Sequence, residues 1–141
     1  METPVVGVVG AGQLARMMQQ AAVGLGVPLR LLAESGDSSA AQVIAATQVG
    51  DYRDLETLRG WADGCTVVTF DHEHVPTSHL DQLVADGHAC RPGPRALVHA
   101  QDKAVMRERL KALDIPCPRN AVVASADEVE AFAASGSVDV V

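Results

Sequence analysis

No stretch of this 141-residue sequence approaches the ~18 consecutive apolar residues that a membrane-crossing helix needs, and no basic leader precedes an apolar segment at its start. Both absences point to a cytoplasmic protein with no membrane partner. Cysteine is scarce: Cys65, Cys90 and Cys117 are far apart and odd in number, which fits neither a disulfide framework nor a paired-cysteine zinc site. Buried or idle thiols are the expectation. The formal charge is −7, with the acids interspersed and no basic stripe, so a nucleic-acid surface is not expected. A small anionic ligand remains compatible with that balance, because a few local amides and cations can hold a phosphate. Internal repeats and low-complexity segments are also missing.

What the sequence does contain is an alternation of strand and helix signals. Hydrophobic residues make up 48% of it, enough for a core, but the length suits one domain plus part of another better than two complete domains. Pro4 to Gly10 is a short apolar run ending in glycine, after which Leu14, Met17, Met18, Ala21, Ala22 and Leu25 follow helical spacing. Pro28 to Glu34 reads as a second strand after the stop at Gly24-Leu25-Gly26, and Thr47 to Asp51 as a short third. Leu55, Leu58 and Trp61 mark the inner face of a helix; Cys65 to Phe70 is a strand, Ser78 to Ala85 a helix, and His88 to Pro92 closes the set. Such alternation predicts an α/β fold with a parallel sheet, and a ligand site beyond the carboxyl ends of its strands.

A boundary is expected between Arg91 and Ala96, giving domains of residues 1–94 and 95–141. Beyond it, Arg95 to Pro118 reads as helical, with Met106, Leu110 and Leu113 on one face and a stop at Pro116 and Pro118. Asn120 to Ser125 reads as a strand, Ala126 to Gly136 as a helix, and the final Val-Asp-Val-Val as a strand that begins and is cut off.

Two stretches carry chemistry. Gly10, Gly12 and Ala15 fit a G-x-G-x-x-A turn between strand and helix, where glycines allow a phosphate or ribose to approach the backbone and the helix N-terminus favours an anion. With Glu34 ending the second strand, a nicotinamide or flavin enzyme is one reading; glycines needed only for close packing are another. The second stretch, Thr69-Phe70-Asp71-His72-Glu73-His74-Val75-Pro76, lies at the carboxyl end of a strand on the same rim. If it stays extended, His72 and His74 share one side and Asp71 and Glu73 the other. Two histidines without a third ligand make a poor metal site. Solvated loop residues remain an alternative, and a Glu73 carboxylate accepting hydrogen bonds from a sugar is the favoured role.

Three motifs together carry a resemblance that covers essentially the whole chain. They are Gly12-Gln13-Leu14-Ala15-Arg16-Met17, the Thr69 to Pro76 stretch, and Ala100-Gln101-Asp102-Lys103 entering a helix that ends at Ile115-Pro116. In order and spacing the chain resembles the N-terminal part of the 5-(carboxyamino)imidazole ribonucleotide synthases, ATP-grasp enzymes of purine biosynthesis. That resemblance implies a Rossmann-like pre-ATP-grasp domain followed by the start of an ATP-grasp domain, and substrates 5-aminoimidazole ribonucleotide, bicarbonate and ATP with magnesium. It matches Gly12, Gln13, Leu14 and Glu73 to the aminoimidazole ribonucleotide and Lys103 to the ATP phosphates. It also implies that the magnesium-binding acids and the catalytic core follow residue 141, so that this chain alone is inactive and holds no catalytic or metal residue; a homodimer is compatible with it. Three departures from the family pattern are Ala15 for glycine, Asp71 for a frequent glutamate and His72 for an aromatic. The rival readings are a formate-dependent glycinamide ribonucleotide transformylase, against which Gln13 and Val75-Pro76 argue, a nucleotide-dependent oxidoreductase, and a non-catalytic binding module.

Overall fold

The computed structural model describes residues 3–136, and the chain divides into two compact units, Met1–Gln101 and Asp102–Val141. In the first unit, β1 (Val6–Val9), β2 (Leu29–Ala33), β3 (Thr47–Val49) and β4 (Val67–Phe70) form one parallel sheet in the order β3-β2-β1-β4. Cys90 adds a parallel bridge to Val68, extending the sheet beyond β4 where a final strand was expected. The helices are α1 (Gln13–Leu25), α2 (Leu55–Ala62), α3 (Thr77–Ala85) and α4 (Pro94–Gln101). With no helix long and apolar enough to cross a membrane among the described residues, this is the α/β class that the alternating pattern predicts.

Both sheet faces are covered because adjacent strand residues point to opposite sides. Val8 and Leu31 pack with Ala15 and Ala22 of α1, while Val9 and Leu32 pack with Leu58 and Trp61 of α2 and Leu80 of α3. On α1 the expected core stripe is met by Ala22, and by Met18 packing against the core, but not by its other members. Leu14, Met17 and Leu25 are exposed, and the buried contacts are made by Ala15 and Ala22. Small residues let this helix lie close on the sheet, which turns the larger apolar side chains outward.

The second unit departs further from the sequence pattern. The single helix expected from Arg95 is broken at Asp102, whose backbone is extended and whose carboxylate accepts from the amides of Ala104 and Val105, so that α5 (Lys103–Ala112) starts anew. Asn120 to Ser125 forms no strand, since a strand requires a neighbour to pair with and none exists for it among the described residues. The helix α6 (Ala126–Ala134) forms as expected, capped by Ser125. The expected terminal strand at residues 138–141 lies outside the described residues.

Candidate functional site

At the carboxyl end of the sheet, β1 and β4 run side by side with Val9 opposite Phe70, so Gly10 and Asp71 leave the sheet together. The amide of Asp71 donates to the Val9 carbonyl at 2.8 Å, and that of Gly10 to the Leu32 carbonyl at 3.0 Å. The chain then turns into α1 through Gly12, the residue before its first turn.

A helix start leaves its first four amides without intrahelical partners. The Asp71 carboxylate takes two of them, accepting from Gly12 through Oδ2 and from Ala15 through Oδ1 at 2.9 Å. The amides of Gln13 and Leu14, between those two, have no partner among the described residues. Both residues are exposed, and the Gln13 side chain accepts only a long bond, 3.3 Å, from the Ser39 hydroxyl.

The glycines of the turn are demanded by the protein's own β4 loop. A Cβ on Gly10, whose φ is 98°, would fall 2.7 Å from the His72 ring; one on Gly12 would fall 2.6 Å from Asp71 Oδ2. A diphosphate laid over this helix start would meet the Asp71 carboxylate on the Gly12 and Ala15 amides, with only those of Gln13 and Leu14 left free. Glu34, the expected ribose acid of a dinucleotide enzyme, is ion-paired with Arg53 at 3.0 Å. These two contacts remove the support that the glycines and Glu34 lend to an oxidoreductase.

Residues 71–73 bend away from the extended path, yet the rings of His72 and His74 still stack, with centroids 5.2 Å apart. The His74 amide donates to His72 Nδ1 at 3.2 Å, which leaves the proton of the neutral ring on Nε2, a buried atom without a partner. Burial and the neighbouring His74 push the His72 pKa below its ordinary value, against the opposing pull of Asp71, Glu34 and Glu73. No group of three or more His, Cys, Asp or Glu that could hold a metal exists among the described residues. Burial raises the pKa of Cys65 and Cys90, which keeps both as unreactive thiols.

Glu73 is half-buried and its carboxylate has no hydrogen-bond or ion-pair partner among the described residues. It borders a shallow recess of about 320 Å³ completed by His74, Val75, Pro76, Thr77 and Gln101. Lys103 is exposed as the first residue of α5, and belongs to the second unit. A larger cleft of about 580 Å³, between α5 and residues 114–122, is lined by none of the candidate site residues Gly12, Gln13, Leu14, Glu73 and Lys103. Sequence reasoning placed Asp71 and Gln101 within its motifs but gave neither a role: an acid two residues before a favoured glutamate and a glutamine two residues before a favoured lysine do not reveal partners 56 and 28 residues away.

Residues 1–101 match the model of the ribonucleotide synthetase preATP-grasp domain. The chain is 54% identical over 129 residues to the N5-carboxyaminoimidazole ribonucleotide synthase of Corynebacterium ammoniagenes, covering 92% of this chain and 31% of that protein. To the synthase of the same name from Mycobacterium tuberculosis it is 53% identical over 131 residues, covering 93% of this chain and 30% of the other. Among solved structures, N5-carboxyaminoimidazole synthase from Aspergillus clavatus, in complex with ADP and 5-aminoimidazole ribonucleotide, superimposes with a TM-score of 0.75 at 32% identity over 83% of this chain and 31% of that one. The chain thus spans just under a third of the length of these curated relatives. Its parallel sheet, its α1 turn and the match over residues 1–101 agree: the chain belongs to the ribonucleotide synthetase preATP-grasp domain family.

Proposed function

We propose that this chain is the substrate-side domain, with the opening of the ATP-grasp domain, of an ATP-dependent carbon–nitrogen ligase that carboxylates 5-aminoimidazole ribonucleotide in purine biosynthesis. The observation that carries the reading is the pair of unpartnered amides at Gln13 and Leu14 on the same rim as the unpaired Glu73 carboxylate. Two neutral donors and one charged acceptor, at the end of a rigid sheet, suit a ribonucleotide, whose acceptor atoms and hydroxyl groups require both kinds of partner.

Bicarbonate is a poor electrophile. Transfer of the ATP γ-phosphoryl group to it gives carboxyphosphate and ADP; the exocyclic amine of the aminoimidazole then attacks the carboxyl carbon, expelling phosphate and losing its proton. In this reading Glu73 accepts from ribose hydroxyls, Gly12, Gln13 and Leu14 line the other side of the substrate, and Lys103 supplies a cation to the ATP phosphates. Magnesium accompanying ATP offsets charge on the transferring phosphoryl group. The described residues offer it no converging ligand set. The same reading makes the enzyme cytoplasmic and compatible with a homodimer.

The test is a titration of 5-aminoimidazole ribonucleotide into the isotopically labelled chain, followed through backbone amide shifts. The expected response is confined to Gly12 to Leu14 and the Glu73 loop. Glu73→Ala should weaken it ~tenfold or more and Glu73→Gln less, because a charge-assisted bond of about 1.5–3 kcal/mol is removed in the first and only weakened in the second. No response at millimolar substrate, or a response of these amides to reduced nicotinamide cofactor, overturns the reading. In a fusion where this chain replaces its counterpart in the Corynebacterium relative, Lys103→Ala should raise KM for ATP ~tenfold and leave that for the aminoimidazole ribonucleotide unchanged. The opposite pattern removes Lys103 from the ATP site.

A further inference from the structure

Gln101, the last residue of α4, holds the segment that carries Glu73. Its Nε2 donates to the Glu73 carbonyl at 2.9 Å and to the Val75 carbonyl at 2.8 Å, and its Oε1 accepts from the Thr77 hydroxyl at 2.7 Å. Both donors and one acceptor site of the side-chain amide are therefore in use. Residues 72–75 lie outside strand and helix, and no backbone–backbone hydrogen bond among the described residues satisfies them. Among the described residues, no other group hydrogen-bonds the main chain of Glu73 or Val75. Val75, fully buried, seats the segment from below.

A loop carboxylate that is free to wander has to be ordered when ligand binds, and that cost reduces affinity. We propose that Gln101 is a positioning residue for Glu73: its side-chain amide clamps the Glu73 to Thr77 turn and thereby holds the carboxylate on the rim shared with the free Gln13 and Leu14 amides. The inference rests on the assignment of Glu73 to the ribonucleotide. It also gives the Ala100-Gln101-Asp102-Lys103 motif a division of labour, with Gln101 clamping the loop and Asp102 capping the helix that begins with Lys103.

Two measurements on the 141-residue chain test it. Without ligand, Gln101→Met keeps the length of the side chain and removes its donors; the backbone amides of Glu73, His74, Val75 and Thr77 should gain fast motion in nuclear relaxation while those of the sheet stay unshifted. With 5-aminoimidazole ribonucleotide, Gln101→Met should weaken binding ~tenfold, and the double variant with Glu73→Ala should bind no worse than Glu73→Ala alone. Gln101→Glu sets a carboxylate against two carbonyls at neutral pH; lowering the pH to about 5 begins to restore a donor, so its affinity relative to the parent should recover, a response that lost packing would not produce. This arm also decides the matter if the Met variant does not fold. Unaltered motion at residues 73–77, additive losses in the double variant, or no recovery of Gln101→Glu overturns the proposal. A parent chain that binds no substrate, while Gln101→Met still loosens the loop, overturns the assignment of Glu73 instead of the clamp.

Discussion

The two units of the chain use the same local devices and reach different degrees of burial. Asp54 caps α2, Asp102 caps α5 and Ser125 caps α6, each through a side-chain oxygen accepting a first-turn amide. Yet α2 buries Leu58, Trp61 and Ala62, whereas α5 and α6 bury no residue among those described. In the second unit Leu113, Ile115 and Val122 remain exposed, Val122 to 81%. Capping is decided within four residues of sequence, but burial needs a partner surface, and in the first unit the parallel sheet supplies one on each face. A helix therefore forms in either setting, while cooperative stability is concentrated where the sheet is.

The sharpest way to break this contrast is to remove one apolar side chain from each unit. Trp61→Ala empties a site with no solvent exposure between α2 and the sheet, and should destabilise the first unit by about 3–5 kcal/mol in urea unfolding. Leu113→Ala, at a half-exposed position, should change stability by less than about 0.5 kcal/mol. Similar losses from the two would mean that the second unit has a core of its own.

Next in size is Asp71→Ala, which leaves the amides of Gly12 and Ala15 without their carboxylate and should cost about 2 kcal/mol by the same measurement. If the α1 turn is instead built to hold a ligand anion, removing Asp71 would improve phosphate binding at little cost in stability. Asp102→Ala should cost about 1 kcal/mol and act locally, with the first turn of α5 losing helical chemical shifts while the sheet signals stay put.

The smallest expected effect is a pH slope confined to the first unit. Because burial lowers the folded-state pKa of His72, the unfolded chain binds a proton more readily than the folded one; the stability contribution is complete above 6.5 and is lost as pH falls through that value towards the folded-state pKa. His72→Phe should flatten the acid side of the melting-temperature profile and leave it unchanged above neutrality. An unaltered slope would assign the pH dependence to other groups.

Much of the first unit was legible in the residues. The four strands and the helices α1, α2 and α3 follow from apolar runs bounded by Gly and Pro, because a buried parallel strand and an amphipathic helix each impress their own period on the sequence. The pattern was misleading wherever an outcome depended on a distant partner. Leu14 and Met17 have helical spacing, but the close approach of Ala15 and Ala22 to the sheet turns them outward. Asn120 to Ser125 is rich in valine and finds no strand to pair with. Around the site, the motifs located Gly12, Gln13 and Glu73 at one rim, and contained Asp71 and Gln101 without revealing that these hold the segments in place.

The sequence by itself determined the alternation of strand and helix, the position of the turns and the membership of the preATP-grasp domain family, all of which rest on local periodicity and on motifs of contiguous residues. Only the tertiary structure decided that the glycine turn receives Asp71 in place of an external anion, that two amides stay free between Gly12 and Ala15, and that Gln101 clamps the Glu73 loop. The Asp71 and Gln101 hydrogen bonds join residues 24 to 59 apart, and a pairing at that distance exists only once the sheet has brought the ends of its strands together.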